Sequence, residues 1–324
     1  MKAIVHNSYG PPEVLRLEEV AKPATPGSGE VLLRVHASAV DPGVWHVTAG
    51  LPYLIRATPY GLRGSKPRVR GMDAAGVVEA VGPGVSRFRP GDEVYGTCDG
   101  AFAEYACAKQ DRLAPKPSGL DFAAVAAIPV SGCTALQALR DAGRVRAEQR
   151  VLVIGASGGV GSFAVQLAKA FGAHVTGVCS TAGTDMVRSL GADEVIDYTR
   201  EDPTDGTRRY DLVLDIAGNR PLHRLRRALT PRGTLVIVGG EGGGKWTGDI
   251  GRTLRALMLS PFVGQRLLWL VSTQKHDDLR LLADLVEAGS VKPVVHRTYP
   301  LADVPEAIRY LRDGQARGKI TIRV

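Results

Sequence analysis

Residues 151–179 read VLVIGASGGVGSFAVQLAKAFGAHVTGVC: an apolar run, a glycine-rich turn, a segment with helical spacing and a second apolar run. That order is a βαβ unit shaped to hold a dinucleotide, and no other stretch restricts the fold as strongly. Residues 151–154 are a short β-branched run of the kind buried on both faces of a parallel sheet, and Val160, Ala164, Leu167, Ala168 and Phe171 recur behind it at helical intervals. Ala156, Gly158 and Gly161 take the three small-residue positions of the dinucleotide fingerprint, with alanine where the first glycine usually stands. Gly158 lets the backbone approach a pyrophosphate and Gly161 lets helix and strand pack closely. Free N–H groups at the helix start face the phosphate charge. Ala156, Ser157, Gly158, Gly159, Val160 and Gly161 are therefore the expected pyrophosphate cradle.

The second strand, predicted over 174–179, ends in Ser180-Thr181, roughly 20 residues after the last fingerprint glycine, where NAD-binding chains carry an acid. An acid there accepts the ribose hydroxyls and repels a 2′-phosphate, whereas short hydroxyls leave room for that phosphate and donate to it. NADPH is the expected cofactor, with Ser180, Thr181 and Tyr198 at its adenosine end. Arg188 and Arg200 are further candidates for the phosphate, and an ordinary surface role is the alternative for each of these side chains.

At 324 residues the chain exceeds one comfortable core, so two domains are expected. Strands predicted at 2–6, 31–37, 74–81 and 93–95 are separated by Gly/Pro clusters, which points to a compact β-barrel. The run Pro115-Lys116-Pro117-Ser118-Gly119 marks a boundary, and 121–140 has helical periodicity interrupted near Pro129 and Gly132. Later strands at 194–196, 212–216 and 235–238 are each followed by small or polar residues, among them Ala217-Gly218-Asn219 and Gly239-Gly240, where a ligand approaches the carboxyl ends of such a sheet. A further strand at 267–271, an amphipathic helix at 277–288 and a closing strand at 319–324 complete the pattern. The expected division is 1–120 with 276–324 against a nucleotide domain over 121–275.

Lys and Arg number 41 against 33 Asp and Glu, a net charge of +8, and the basic residues are scattered except around 56–70 and 220–232. A solvated arginine-rich surface is the simplest reading; steering of an anionic cofactor and nucleic-acid binding are the others, the last without any accompanying motif. Cys98, Cys107, Cys133 and Cys179 lie far apart with no C-x-x-C pair, so neither a zinc ribbon nor a disulfide framework is indicated and a reducing cytoplasm is expected. With no apolar leader at the start and no run of about 18 apolar residues, membrane insertion is not expected.

The β-rich first part, GDEVYG, GASGGVG, LGADEVIDY and ARGKITI together resemble the medium-chain dehydrogenases/reductases, and the zinc-free quinone oxidoreductase branch most closely. The likeness spans essentially the whole chain. It implies an α/β protein with a GroES-like β-barrel domain and a six-stranded, doubly wound parallel Rossmann sheet, and a homodimer joined through the nucleotide domains. Where the zinc-dependent branch carries a cysteine ligand this chain has Val40-Asp41, and where that branch has Gly-His-Glu it has Gly71-Met72-Asp73. Valine and a thioether do not replace thiolate and imidazole, so a metal-free site is expected.

By that likeness the reaction is hydride transfer from NADPH to a quinone or similar conjugated carbonyl compound held between the domains, with solvent as a sufficient proton source. Ser131, Asp215 and the seven histidines form no recognisable nucleophile motif. The acceptor is expected at the loop 41–46 and at Tyr53. Asp41 there orients a ligand or caps a turn before Pro42, Trp45 and Tyr53 stack on a flat ring or pack structurally, and His46 donates a proton or is a satisfied structural histidine. Thr134 corresponds to a position near the nicotinamide, with Gly239 and Gly240 beside that ring and Asn219 nearer the ribose. The run 242–246 is a flap over the cleft or a flexible surface loop. Two competing functions remain open: reduction of an enone or enoyl C=C bond, which calls for a positioned acid, and a non-catalytic NADPH-sensing or RNA-binding role.

Overall fold

The computed structural model describes residues 1–57, 69–218, 220–240, 244, 246–248 and 250–324. Its contacts divide the chain into two units, Met1–Cys133 with Thr273–Gly289 and Pro293–Val324, and Thr134–Ser272 with Ser290–Lys292.

The first unit opens with β1 (Lys2–Val5), β2 (Arg16–Glu19) and the long strand β3 (Glu30–Val40), followed by α1 (Pro42–Ala49), β4 (Asp73–Val81), β5 (Glu93–Thr97), β6 (Tyr105–Lys109), β7 (Leu113–Pro115) and α2 (Phe122–Ala126). β3 holds this unit together. It pairs antiparallel with β4 along one edge and with β6 along the other, and its register with β4 shifts between Leu32 and Leu33 and again between Val35 and Ala37. A Cβ at Gly76 on β4 would stand 2.1 Å from the Arg34 carbonyl, so only glycine fits where the bent strands close together. Asp41 and Pro42 set the start of α1: the aspartate side chain accepts from Val44 N–H at 3.3 Å and proline fills the first helical turn. The segment expected as an acceptor loop is thus a capped helix.

The helix α3 (Pro129–Gln137) runs across the boundary into the second unit, which continues with β8 (Arg150–Ile154), α4 (Gly159–Ala170), β9 (His174–Cys179), α5 (Thr184–Ser189), β10 (Glu194–Asp197), β11 (Tyr210–Asp215), α6 (Leu222–Arg227), β12 (Leu229–Ile237), α7 (Ile250–Leu259) and β13 (Arg266–Trp269). Among the described residues its six strands lie in the order β10-β9-β8-β11-β12-β13, every pair parallel. Renumbered within the unit this is 3-2-1-4-5-6, the doubly wound order with its switch point between β8 and β11. Leu152, Ile154, Val213, Leu235 and Ile237 bury completely or nearly so in its core, as the apolar runs require.

The chain then returns to the first unit through α8 (His276–Glu287), β14 (Val295–Pro300), α9 (Val304–Arg312) and β15 (Lys319–Arg323). β15 lies between β14, to which it runs parallel, and β3, to which it runs antiparallel. α9 buries Val304, Ala307 and Ile308 in the same cluster as Ile4, Val40 and Ile320.

The units part at Cys133 rather than at the glycine- and proline-rich run 115–119, because 121–133 remains packed with the first unit. Val125 and Ala126 of α2 are fully buried, and the Val130 N–H donates to the Asp73 carboxylate at 2.8 Å. The expected helical interruption occurs just before Pro129 only; Gly132 lies inside α3, where a Cβ would press on Leu282 at 3.0 Å. Among the described residues no helix is long and apolar enough to cross a membrane.

Candidate active site

The turn between β8 and α4 is built from close backbone approaches. Its tight bend falls on Gly155, at φ +90°, one residue before the alanine that was expected to stand in for the first fingerprint glycine. Ala156 is fully buried, and the turn has glycine at 155, 158, 159 and 161. A Cβ on Gly161 would lie 2.0 Å from the Gly155 carbonyl oxygen, so helix and strand are in contact there. Gly158 is different: a Cβ on it would meet only the Gly155 oxygen, at 3.5 Å, which leaves the face of this residue open. Gly158 caps α4 with no side-chain hydrogen bond, so the first amides of a twelve-residue helix, those of Gly159, Val160 and Gly161, remain available to an anion. These features fit a pyrophosphate.

Beside this turn the ends of β11 and β12 are equally tight. A Cβ at Gly239 would stand 2.1 Å from the Ile216 oxygen, and one at Gly218 would stand 2.5 Å from Gly240 Cα. Val238 and Gly239 N–H donate to the Asp215 carbonyl at 3.0 and 3.2 Å, and Ile216 and Ala217 N–H to that of Ile154 at 3.1 and 3.3 Å. Gly239 and Gly240 therefore sit where the carboxyl ends of the central strands open the crevice of such a sheet. Asn219 lies outside the described residues. Thr134 is buried, and its hydroxyl is 2.7 Å from that of Ser272, a partner that sequence spacing does not reveal. Of the run 242–246, Gly244 bridges to Gly248 and Trp246 is exposed, while 242, 243 and 245 lie outside the described residues.

Along the same carboxyl edge of the sheet Tyr198 N–H donates to the Cys179 carbonyl at 3.0 Å, which sets Tyr198 beside Ser180 and Thr181. Gly183 lies against Ser157, where a Cβ would come within 2.8 Å of the serine Cβ. An acid does stand here, on the neighbouring strand. The Thr181 hydroxyl donates to Asp197 Oδ2 at 2.5 Å, and Thr199 donates to Oδ1 through both its N–H and its hydroxyl, at 3.0 and 2.7 Å. These hydrogen bonds, Thr181 first, hold the Asp197 carboxyl below its ordinary range, with Arg200 Nε 3.7 Å away. Asp197 belongs to the motif VIDY, but it comes next to Thr181 only because β10 pairs with β9, which no local pattern shows. Arg188 instead pairs with Asp185 at 3.2 Å.

In the first unit, α1 turns Trp45 onto the cluster formed by α9 and β15, with the Arg312 guanidinium 5.7 Å from the indole centroid. This is structural packing. His46 Nδ1 lies 3.2 Å from the Leu51 carbonyl, a contact that makes Nδ1 the donor and leaves Nε2 as the other ring atom. Tyr53 stacks with Arg56 at 4.8 Å, and the same guanidinium lies 4.7 Å from the ring of Tyr9. Asp41 is buried and caps α1 through Oδ1, while its Oδ2 has no hydrogen-bond partner among the described residues. Near it lies a buried ion pair: Lys319 Nζ is 2.8 Å from Asp73 Oδ2, with both side chains essentially inaccessible. Burial, the largest influence, and the Asp41 charge push Asp73 up while the Lys319 ammonium pulls it down, and the outcome is a pKa of about 6.

Burial pushes the Cys179 thiol up to about 11 and raises Cys98 further, so neither offers a thiolate at neutral pH. Among the described residues no three His, Cys, Asp or Glu side chains are grouped as metal ligands would be. In the basic run 220–232, Arg220 and Arg224 both pair with Asp202, at 2.9 and 3.1 Å.

Two family models match: the alcohol dehydrogenase GroES-like domain over residues 27–118 and the zinc-binding dehydrogenase over 190–322. The chain is 33% identical to the chloroplast envelope quinone oxidoreductase homolog of Arabidopsis thaliana over 99% of its own length and 98% of that protein's. It is also 33% identical to the human mitochondrial NAD(P)H oxidoreductase RTN4IP1, over 100% of its length and 89% of that protein's. Among solved structures, the quinone oxidoreductase of Escherichia coli in complex with NADPH superimposes with a TM-score of 0.85 at 26% identity, covering 100% of both chains. Matched along its whole length, with the fingerprint turn and doubly wound sheet of its relatives, the chain belongs to the medium-chain dehydrogenases/reductases, in their zinc-free quinone oxidoreductase-like branch, and is an oxidoreductase that uses a nicotinamide cofactor.

Proposed function

We propose that the protein transfers hydride from NADPH to a quinone or similar conjugated carbonyl acceptor without a metal ion. The uncapped start of α4 above Gly158 and Gly161 carries this reading, because it matches the shape and charge of a pyrophosphate. The bound cofactor supplies the hydride; the protein holds the adenosine end with Ser180, Thr181 and Tyr198, and the nicotinamide end with Thr134, Gly239 and Gly240. On the first unit Asp41, His46 and Tyr53 are the acceptor-side groups, with Trp45 shaping α1 from behind. The short hydroxyls at 180–181, and the NADPH held by the similar E. coli enzyme, favour the phosphorylated cofactor.

Asp197 works against that preference. Its carboxylate adds a negative charge beside Thr181, so replacing it by asparagine should tighten NADPH roughly tenfold and leave NADH nearly unchanged. The gain should shrink in high salt. Fluorescence titrations of both cofactors into wild type and Asp197→Asn check this. Tighter NADH than NADPH binding by the wild type would refute the cofactor assignment. A panel of quinones, enones and aldehydes, with metal content measured on the same sample, tests the acceptor class.

The Nδ1 anchor of His46 favours one second reading, reduction of an enone C=C bond with Nε2 as the proton source. His46→Ala should then slow enone turnover at least roughly a hundredfold while quinone turnover changes little. Equal losses on both acceptors remove His46 from the chemistry.

A homodimer joined through the nucleotide units completes the proposal. β13 ends the sheet with one edge unpaired among the described residues, and Trp269, Met258 and Phe262 nearby are 52, 65 and 85% exposed.

A further inference from the structure

One side chain of α7 fastens together the turns at the ends of β11 and β12. Asp215, fully buried at the end of β11, accepts the Gly218 N–H through Oδ1 at 3.2 Å and the Arg252 guanidinium through Oδ2. The same guanidinium donates to the carbonyls of Arg220 and Gly239, each at 3.2 Å. One planar fork thus spans a carboxylate and two main-chain oxygens on successive turns, which an ammonium with a single nitrogen cannot do. The turns have little freedom otherwise: Gly218 holds φ +69° and touches Gly240.

We propose that Arg252 is a positioning residue for hydride transfer: by holding Asp215 and the Gly239 carbonyl together, it fixes the two turns on which the nicotinamide ring rests. The proposal rests on the reading of Gly239 and Gly240 as neighbours of that ring. Arg252 touches neither cofactor nor acceptor in this scheme. Its contribution is to the depth and tilt of the ring, and a displacement of about 1 Å at the reacting atoms costs roughly a hundredfold in rate. The pyrophosphate cradle and the adenosine end belong to other turns, none of which Arg252 bonds to among the described residues.

The test is Arg252→Lys, which keeps a cation opposite Asp215 and gives up the span. The variant should bind NADPH within about threefold of wild type. Its kcat for quinone reduction should fall tenfold to a hundredfold with KM for the quinone little changed, and the emission of bound NADPH should shift, because the dihydropyridine then sits in a looser and wetter setting. An ion pair that only fastened α7 to the sheet would lower the melting temperature but leave kcat per folded molecule and the emission as they are in wild type, and that result overturns the proposal. Should Arg252→Lys not fold, Asp215→Asn carries the same readouts, since it keeps the shape and the Gly218 bond and gives up the charge and the acceptor that faces Arg252. If wild type binds neither NADPH nor NADH, the nucleotide site itself is wrong and the proposal falls with it. Normal wild-type binding and turnover with an unchanged kcat in both variants would sink the positioning role alone.

Discussion

Gly161→Ala is expected to cripple the enzyme and loosen its second unit. The added Cβ would be placed 2.0 Å from the Gly155 carbonyl oxygen and 2.7 Å from Ala156 Cα, both main-chain atoms that cannot swing aside. The helix must therefore retreat from the strand. Overpacking of this kind costs about 1–3 kcal/mol, or a fall in melting temperature of roughly 2–4 °C per kcal/mol in a chain of this class. The larger loss is in binding: the amides at the start of α4 move away from the phosphate, and each charge-assisted hydrogen bond forfeited is worth roughly 1.5–3 kcal/mol. Calorimetry together with an NADPH titration should show a moderate drop in melting temperature beside a loss in affinity of at least about a hundredfold. Gly158→Ala makes the contrast, because its face is open and it should weaken binding without lowering stability. A Gly161→Ala protein with wild-type affinity would contradict the placement of the cradle.

Lys319→Met is expected to destabilise the first unit by about 3–5 kcal/mol, since among the described residues it leaves the carboxylate of Asp73 in the core with only the Val130 N–H and no paired cation. The loss should depend on pH in a defined direction. Asp73 already holds its proton up to about 6, above the value of about 4 for an unfolded chain, so its contribution is fullest below pH 4 and is lost as pH rises through 6. Without the ammonium its native pKa rises further. The gap between variant and wild type should accordingly be small near pH 5 and widest near pH 8. Urea melts at the two values measure it, and the double variant Asp73→Asn with Lys319→Met should recover most of the stability, because a neutral amide does not need the cation. A pH-independent gap would show that Asp73 does not respond to its partner in this way.

What sequence revealed of this molecule followed periodicity. The alternation of buried strand, glycine turn and helical spacing over 151–179 led to the Rossmann unit because each of its signals is local, and the remaining strands of the sheet fell close to their expected positions. The start of α1 is less distinct, since an aspartate before a proline opens a helix but suits the turn of a loop equally well. Asp197, Arg252 and the Asp73–Lys319 pair could not be read from spacing. Each meets its partner across a strand pairing or from a packed helix, and Lys319 stands 246 positions from Asp73. The boundary at Cys133 has no local signal for a related reason: proline and glycine mark where a chain turns, whereas the allegiance of α2 is set by what its buried face touches.

The place of β15 has a bearing on how the protein comes into being. This strand fills the gap between β14 and β3 and carries the cation that Asp73 requires, yet it leaves the ribosome after everything else described above. The nucleotide-binding unit, contiguous but for three residues, can close on itself while the half emerging before it still presents an open flank along β3. Until β15 is in place the first unit lacks both the strand that covers residues 37–40 of β3 and the ammonium opposite Asp73, so that bare stretch of edge is its point of exposure to stray pairing.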